Sequence, residues 1–208
     1  MRFTGPLARV SARLAWALLV LLTGCGESPK LPRLANDAVV LAYGDSLTFG
    51  TGASESASYP AQLEQRIGRT VVRSGVPGEI SEAGLARLPG MLDEHQPKLL
   101  ILCLGGNDFL RRMDQRRTAE NLRAMVRLAK GRGIPVVLIG TPEPGFTVTP
   151  PAFYADVASE FALPYEGEVI GKVLRDPGLK SDAIHPNAQG YRLIAERLAD
   201  LLKKAGAL

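Results

Sequence analysis

"LLILCLG", residues 99–105, runs through seven positions without a charged or hydrogen-bonding side chain other than the thiol of Cys103. Its length suits a strand, and apolarity without alternation suits a strand covered on both faces. Three other runs have strand length, β-branched content and near-continuous apolarity: "AVVLAY" at 38–43, "TVVRSGV" at 70–76, which admits Arg73 and Ser74, and "IPVVLIG" at 134–140. Segments with apolar residues three or four apart lie between and after them. "YPAQLEQRIG" places Tyr59, Leu63 and Ile67 on one stripe and stops at Gly68. "SEAGLARLPGMLDEH" does the same with Leu85, Leu88 and Leu92, leaving His95 at a polar helix end. "AENLRAMVRLAKGRG" aligns Leu122, Met125, Val126 and Ala129. "NAQGYRLIAERLADLLKK" aligns Tyr191, Ile194, Leu198 and Leu201, with lysines in its last turn, where the helix dipole favours cations. Strands alternating with amphipathic helices predict an α/β fold, a parallel sheet with helices on both faces.

The chain has 208 residues, 46% of them hydrophobic, enough for one domain with a sizeable core once an export segment is set aside. That segment is residues 1–24. Arg2, Arg9 and Arg13 precede an apolar stretch from Leu14 to Leu22, and small residues follow. The stretch is too short for a transmembrane helix and reads as a signal peptide. The tetrad Leu22-Thr23-Gly24-Cys25 resembles the lipobox of bacterial lipoproteins, which predicts cleavage before Cys25 and a lipid on its thiol. Residues 25–36, with prolines and no periodicity, are expected to form a tether, leaving residues 37–208 as the folded domain. The expected location is the bacterial cell envelope, with a membrane contact through the anchor at Cys25.

Three of the 25 basic residues lie in the leader, so the mature chain carries 22 against 21 acids. The densest basic group, Arg111, Arg112, Arg116 and Arg117, is interrupted by Asp114 and followed by Glu120, which argues against a nucleic-acid partner. Once Cys25 is assigned, Cys103 has no cysteine left to pair with and is expected as a small buried hydrophobe. His95 and His185 are the only histidines, too few with one buried thiol for a zinc site. No cofactor or metal is expected. The chain is expected to be a monomer.

In open α/β sheets, ligands bind beyond the carboxyl ends of the strands. Ser46 follows the first predicted strand in "LAYGDSLTFGTGA", residues 41–53; Gly78 follows the second, and "GGND", residues 105–108, the third. "SDAIHPN", residues 181–187, precedes the last helix. A serine hydroxyl needs a base to become a nucleophile, and His185, kept out of a helix body by Pro186, is the one candidate. Asp182, three residues earlier, is placed to accept a hydrogen bond from the second ring nitrogen. The N–H groups of Ser46 and Gly78 and the side-chain amide of Asn107 are candidate oxyanion donors. Asp45 and Asp108 read as acids that fix loops through backbone N–H groups, outside the catalytic set.

These four blocks, in this order, resemble the GDSL, or SGNH, hydrolase family, whose four named residues match Ser46, Gly78, Asn107 and His185. The resemblance implies a flavodoxin-like three-layer α/β/α sandwich with five parallel strands. It implies hydrolysis of ester and thioester bonds, of arylesterase, thioesterase and lysophospholipase kinds, without a metal. Glu79 departs from the pattern, since many relatives have aspartate after the block-two glycine. Leu47, Phe49, Phe109 and Leu110 flank the site in sequence, and by the resemblance the segments after Asn107 and after the fourth strand wall an acyl channel. A small-molecule or lipid ester is therefore expected, its medium or long acyl chain lying against Leu47, Phe109, Leu110 and Phe146. A carbohydrate O-acetyl esterase on the same fold and a non-catalytic envelope lipoprotein remain alternatives. An ordinary α/β-hydrolase is disfavoured because no Gly-x-Ser-x-Gly elbow occurs.

Overall fold

In the computed structural model, residues 29–143, 145 and 148–208 are described; the proposed leader, Cys25 and Phe146 lie outside them. Five strands form one parallel sheet: β1 Val40–Gly44, β2 Val71–Gly75, β3 Leu99–Cys103, β4 Val136–Ile139 and β5 Tyr165–Glu166, in the order β2-β1-β3-β4-β5. The four apolar runs became β1 to β4. β5, a strand of two residues paired as Leu138↔Tyr165 and Ile139↔Glu166, is too short to leave a periodicity and was expected only from the family resemblance.

The uninterrupted apolarity of β1, β3 and β4 has the predicted cause; β2, at the sheet edge, carries Arg73 and Ser74. Val40, Ala42, Leu99, Ile101, Cys103, Val137 and Ile139 enter one core, while Leu41, Tyr43, Leu100, Leu102, Val136 and Leu138 enter the other. Side chains alternate across a strand, so a sheet with two dry faces needs apolar residues at every position. The helices are α1 Ser46–Phe49, α2 Tyr59–Ile67, α3 Ser81–His95, α4 Gly106–Leu110, α5 Gln115–Gly131, α6 Phe153–Glu160, α7 Val169–Arg175 and α8 Ala188–Lys204. The first core is closed by α2, α7 and α8, and the second by α3, α5 and α6. The four helices expected from periodicity are α2, α3, α5 and α8. The other four span at most eight residues each, barely two turns, and present too few positions for a stripe.

The expected tether is partly a docked segment. Leu31 N–H donates to Ala205 O and Leu34 N–H to Ala207 O, both at 2.8 Å, and Leu34 is 4% exposed within the first core. Leu31 and Leu34, separated by Pro32 and Arg33, are the apolar residues that do this, and two anchors in a Pro-containing stretch leave no helical or strand period to read.

Candidate active site

The strand order reverses direction at β1, whose successor in sequence lies on one side and β3 on the other. The loops after β1 and β3 therefore diverge and leave a crevice between them, as in other doubly wound sheets. A cleft of about 360 Å³ opens there. Its polar wall holds Asp45, Ser46, Asn107 and His185, and its apolar wall Leu47, Leu110, Val148, Leu174 and Ile184.

Ser46 begins α1 directly after Asp45. Asp45 Oδ1 accepts from Leu47 N–H at 3.0 Å, capping the four-residue helix and holding the serine at its first turn. Gly44 must be glycine, because a Cβ there would collide with the Cys103 carbonyl and the Thr48 hydroxyl. The turn off β1 is thus pressed against β3, which carries Asn107 on the loop it feeds.

His185 Nε2 lies 3.0 Å from Ser46 Oγ, and His185 Nδ1 lies 2.8 Å from Asp182 Oδ2. Asp182 Oδ1 accepts from the N–H groups of both Ile184 and His185 at 2.8 Å, so the carboxylate ties its own loop into a turn. Partial burial pushes the Asp182 carboxyl up, but the hydrogen bonds from the His185 ring and the two N–H groups outweigh it and hold the group below its ordinary value. Asn187 accepts from Gln189 and Gly190 N–H and so starts α8 two residues past the histidine. Tyr191 in its first turn donates to Thr51 O at 2.8 Å, which binds the histidine loop to the serine loop.

Asn107 lies at the start of α4. Its Nδ2 donates to Glu79 O at 3.0 Å and to Asp45 Oδ2 at 3.3 Å, bridging the loops after β2 and β1. Gly78 sits beside that bridge with φ of +81°, a conformation that favours glycine, and its carbonyl accepts from Arg111 Nη2 at 2.9 Å. Gly78 does not itself line the cleft; it adjoins Glu79, whose carbonyl the asparagine holds.

The departure at Glu79 has a structural counterpart. Its carboxylate is buried and receives two hydrogen bonds from Arg87 on α3, which also reaches Ser74 and lies 4.1 Å over the Tyr43 ring. Asp108 accepts from Ser81 N–H, the Ser81 hydroxyl and the Thr118 hydroxyl, anchoring the first turn of α3, where Ile80 gives no side-chain cap. Asp45, 2% exposed, has its carboxyl pushed up to about 7, by burial first and then by the Glu79 and Asp108 carboxylates, against the Leu47 N–H bond. Asp45 and Asp108 were legible as loop-fixing acids; the pairing of Glu79 with Arg87 was not, because nothing local distinguishes Arg87 from other helix arginines.

The expected apolar contacts divide. Leu47 and Leu110 line the cleft. Phe109 does not: it is buried in the second core, its ring 6.2 Å from that of Phe153 and 6.4 Å from that of Tyr154. Neighbouring helical residues point about 100° apart, so with Leu110 toward the cleft Phe109 turns inward. Phe49 is exposed, with Arg73 stacked 4.7 Å over its ring, and is not in the cleft wall. Cys103 is buried, and burial foremost pushes its thiol up, consistent with a small core hydrophobe.

Comparison with known proteins agrees with this geometry. The profile of the GDSL-like Lipase/Acylhydrolase family matches residues 42–193. The chain is 32% identical over 179 residues to the thioesterase 1/protease 1/lysophospholipase L1 of Escherichia coli K12, covering 82% of this chain and 86% of that protein. It is 30% identical over 197 residues to esterase TesA of Pseudomonas aeruginosa, covering 88% and 97%. The crystal structure of TesA superposes with a TM-score of 0.71 at 29% identity, covering 80% of this chain and 99% of that one. The chain therefore belongs to the GDSL-like lipase/acylhydrolase family and is a serine hydrolase of ester bonds.

Proposed function

We propose that Ser46 is the nucleophile of a two-step acyl transfer on carboxylic esters and thioesters. His185 Nε2 takes the Ser46 proton as Oγ attacks the carbonyl, and Asp182 holds the ring in the tautomer that accepts it and stabilises the resulting cation. The Ser46 N–H and Asn107 Nδ2, which line the cleft, receive the oxyanion, and the N–H of Gly78, set just behind the lining, is the third donor once substrate is seated. Asn107 already donates to Glu79 O and Asp45 Oδ2, and the longer of these, at 3.3 Å to Asp45, is the bond it exchanges for the oxyanion. His185 then gives its proton to the leaving alcohol or thiol, and water repeats the sequence to release the acid. The observation that carries this reading is the unbroken line Ser46 Oγ, His185 Nε2, His185 Nδ1, Asp182 Oδ2, with separations of 3.0 and 2.8 Å.

The acyl group lies on Leu47 and Leu110 against the apolar wall of the cleft. The relatives' names, thioesterase, lysophospholipase and esterase, support acyl esters and thioesters as substrates, and the apolar wall of the cleft supports a medium or long acyl chain. Hydrolysis rates on esters of graded length are expected to peak beyond acetate; a steady fall from acetate upward favours the O-acetyl esterase reading. In the purified Ser46→Ala variant turnover drops by about 10⁶-fold and fluorophosphonate labelling disappears, as for a nucleophile acting as a unit with its base. Equal turnover of variant and wild type overturns the mechanism, and wild type that neither labels nor hydrolyses any ester supports a scaffold lipoprotein.

For location we propose export through residues 1–24 and lipidation of Cys25, which the Arg-rich start, the apolar run and the Leu-Thr-Gly-Cys tetrad support. Among the described residues no helix is long and apolar enough to cross a membrane. Radiolabelled palmitate is expected to enter the wild type and not Cys25→Ser; equal labelling removes the anchor.

A further inference from the structure

Three large hydrophobic residues stand exposed among the described ones: Phe49 at 43%, Val76 at 41% and Leu110 at 48%. Single apolar residues scattered over a surface are ordinary, but these are not scattered. Phe49 lies three residues after Ser46, Val76 two before Gly78 and Leu110 three after Asn107, so each rides on a loop that carries a member of the site. The strands that feed these loops end level with one another. Gly44, the last residue of β1, is the register partner both of Gly75, the last of β2, and of Cys103, the last of β3. Neighbouring strands stand about 4.8 Å apart, so the three loops leave the sheet side by side.

Direct contacts tie the loops together. Val76 N–H donates to Gly44 O at 3.0 Å, and a Cβ on Gly75 would strike the backbone nitrogen of Phe49. Arg73 Nη1 donates to Phe49 O at 2.6 Å with its guanidinium over the ring, and Arg111 Nη2 reaches Gly78 O at 2.9 Å. The same rim is cationic. Glu55 matches Arg73 and Arg87 matches the buried Glu79, but Arg111 bonds a neutral carbonyl and Arg112 is exposed, and among the described residues neither has an ion-pair partner. An apolar centre flanked by arginines suits a lipid surface of negative charge, where apolar side chains enter the acyl boundary and guanidinium groups meet phosphates. A protein seated on Leu110 would cover the cleft that this residue lines, whereas a lipid surface would bring acyl chains to it.

We propose that the rim of Phe49, Val76 and Leu110 docks the protein, catalytic end first, onto an anionic phospholipid surface, from which long-chain acyl esters enter the cleft. The docking stands on the rim itself; its service to catalysis rests on the ester-hydrolase reading above. Arg111 and Arg112 each strengthen partition to such a surface by about five-fold.

The chain has one tryptophan, Trp16, so in a full-chain Trp16→Phe background Phe49→Trp supplies the sole indole. The protein is mixed with vesicles of brominated phosphatidylcholine, with and without phosphatidylglycerol. Quenching of this indole is expected with phosphatidylglycerol present, while the indole of Phe161→Trp, placed just ahead of β5 at the amino edge of the sheet, stays unquenched. This readout reports the depth of the rim, whether or not a lipid at Cys25 also holds the chain on the vesicle. An unquenched Phe49→Trp, or equal quenching of both positions, overturns the proposal. Quenching that is the same without phosphatidylglycerol overturns the choice of an anionic surface. An unquenched indole in a chain that self-associates through this rim makes the occupant a second copy and overturns the lipid one. Phe49→Ser/Val76→Ser supplies the second measurement. Its rate on a soluble short-chain ester should equal that of the wild type, while its rate on a long-chain ester held in phosphatidylglycerol vesicles falls about ten-fold. No fall, or an equal fall on both esters, overturns the link between docking and hydrolysis. A wild type inactive on the soluble ester marks failure of the hydrolase reading instead, and the quenching still decides the docking.

Discussion

Glu79 and Arg87 meet as a two-pronged ion pair, Nε to Oε1 at 2.8 Å and Nη2 to Oε2 at 2.7 Å, directly beneath the loop that carries Gly78. The Glu79 side chain is only 6% exposed, so this arginine stands where water would otherwise solvate its carboxylate. Arg87→Met leaves a buried carboxylate without its partner and is expected to destabilise the fold by about 3–5 kcal/mol in urea unfolding. Adding Glu79→Gln removes the stranded charge and should restore most of that loss. A single variant within about 1 kcal/mol of wild type would show that the pair contributes little.

Asn107→Ala removes one of three proposed oxyanion donors and also the bridge between the loops after β1 and β2. Turnover is expected to fall by about 10²–10³-fold. If the donor acts on the transition state, KM stays near its wild-type value while kcat falls. A rise in KM with kcat intact would assign Asn107 to substrate binding.

Asp182→Asn keeps the loop-tying acceptor but presents a neutral group to the His185 ring. The ring loses the partner that favours its cation and its working tautomer, and kcat is expected to drop by about 10⁴-fold. Because its hydrogen bonds hold the Asp182 carboxyl below the ordinary range, the wild-type carboxylate stays charged well into acid. Its share of stability is present above the unfolded value near 4 and is lost only as pH falls through the lowered folded value. Steady-state rates of the variant and wild type check the first statement, and urea unfolding carried from about pH 6 down to about pH 2 checks the second.

Asp45 works in the opposite direction. Its carboxyl is raised to about 7 in the fold, so between about pH 4 and pH 7 the unfolded chain has released the proton that the native chain keeps. Stability from this group is full below about pH 4 and declines as pH rises through 7. Asp45→Asn removes that dependence. The gap between variant and wild type in urea unfolding should shift in favour of the variant with rising pH, by at most about 4 kcal/mol, and level off above about pH 8. A pH-independent gap would mean Asp45 is already ionised at pH 4.

How much of this was legible depended on whether a feature is local. Strands β1, β3 and β4 showed in the sequence because burial on both faces forces every residue of a short run to be apolar; β2, at the sheet edge, admits Arg73 and Ser74 and showed through its β-branched start. Helices α2, α3, α5 and α8 showed because a helix of two or more turns repeats its core contacts. α1 and α4, which carry Ser46 and Asn107, are four and five residues long and repeat nothing; only the glycine-bearing turns marked them. Leu34 was read as tether because a single buried leucine in a Pro-containing stretch has no periodicity to reveal it.

The sequence by itself determined the layers, the edge of the sheet at which chemistry gathers, and the residue types that gather there, because hydrophobic period and turn chemistry are written in neighbouring positions. Only the tertiary structure decided that Ser46 Oγ and His185 Nε2 stand 3.0 Å apart, that Phe109 turns into the core while Leu110 faces the cleft, that Arg87 pairs with Glu79, and that Leu31 and Leu34 dock on the residues that follow α8. Each of these is a distance or a direction between segments remote in the chain. Close packing of whole elements sets such quantities, and no local pattern of residues encodes them.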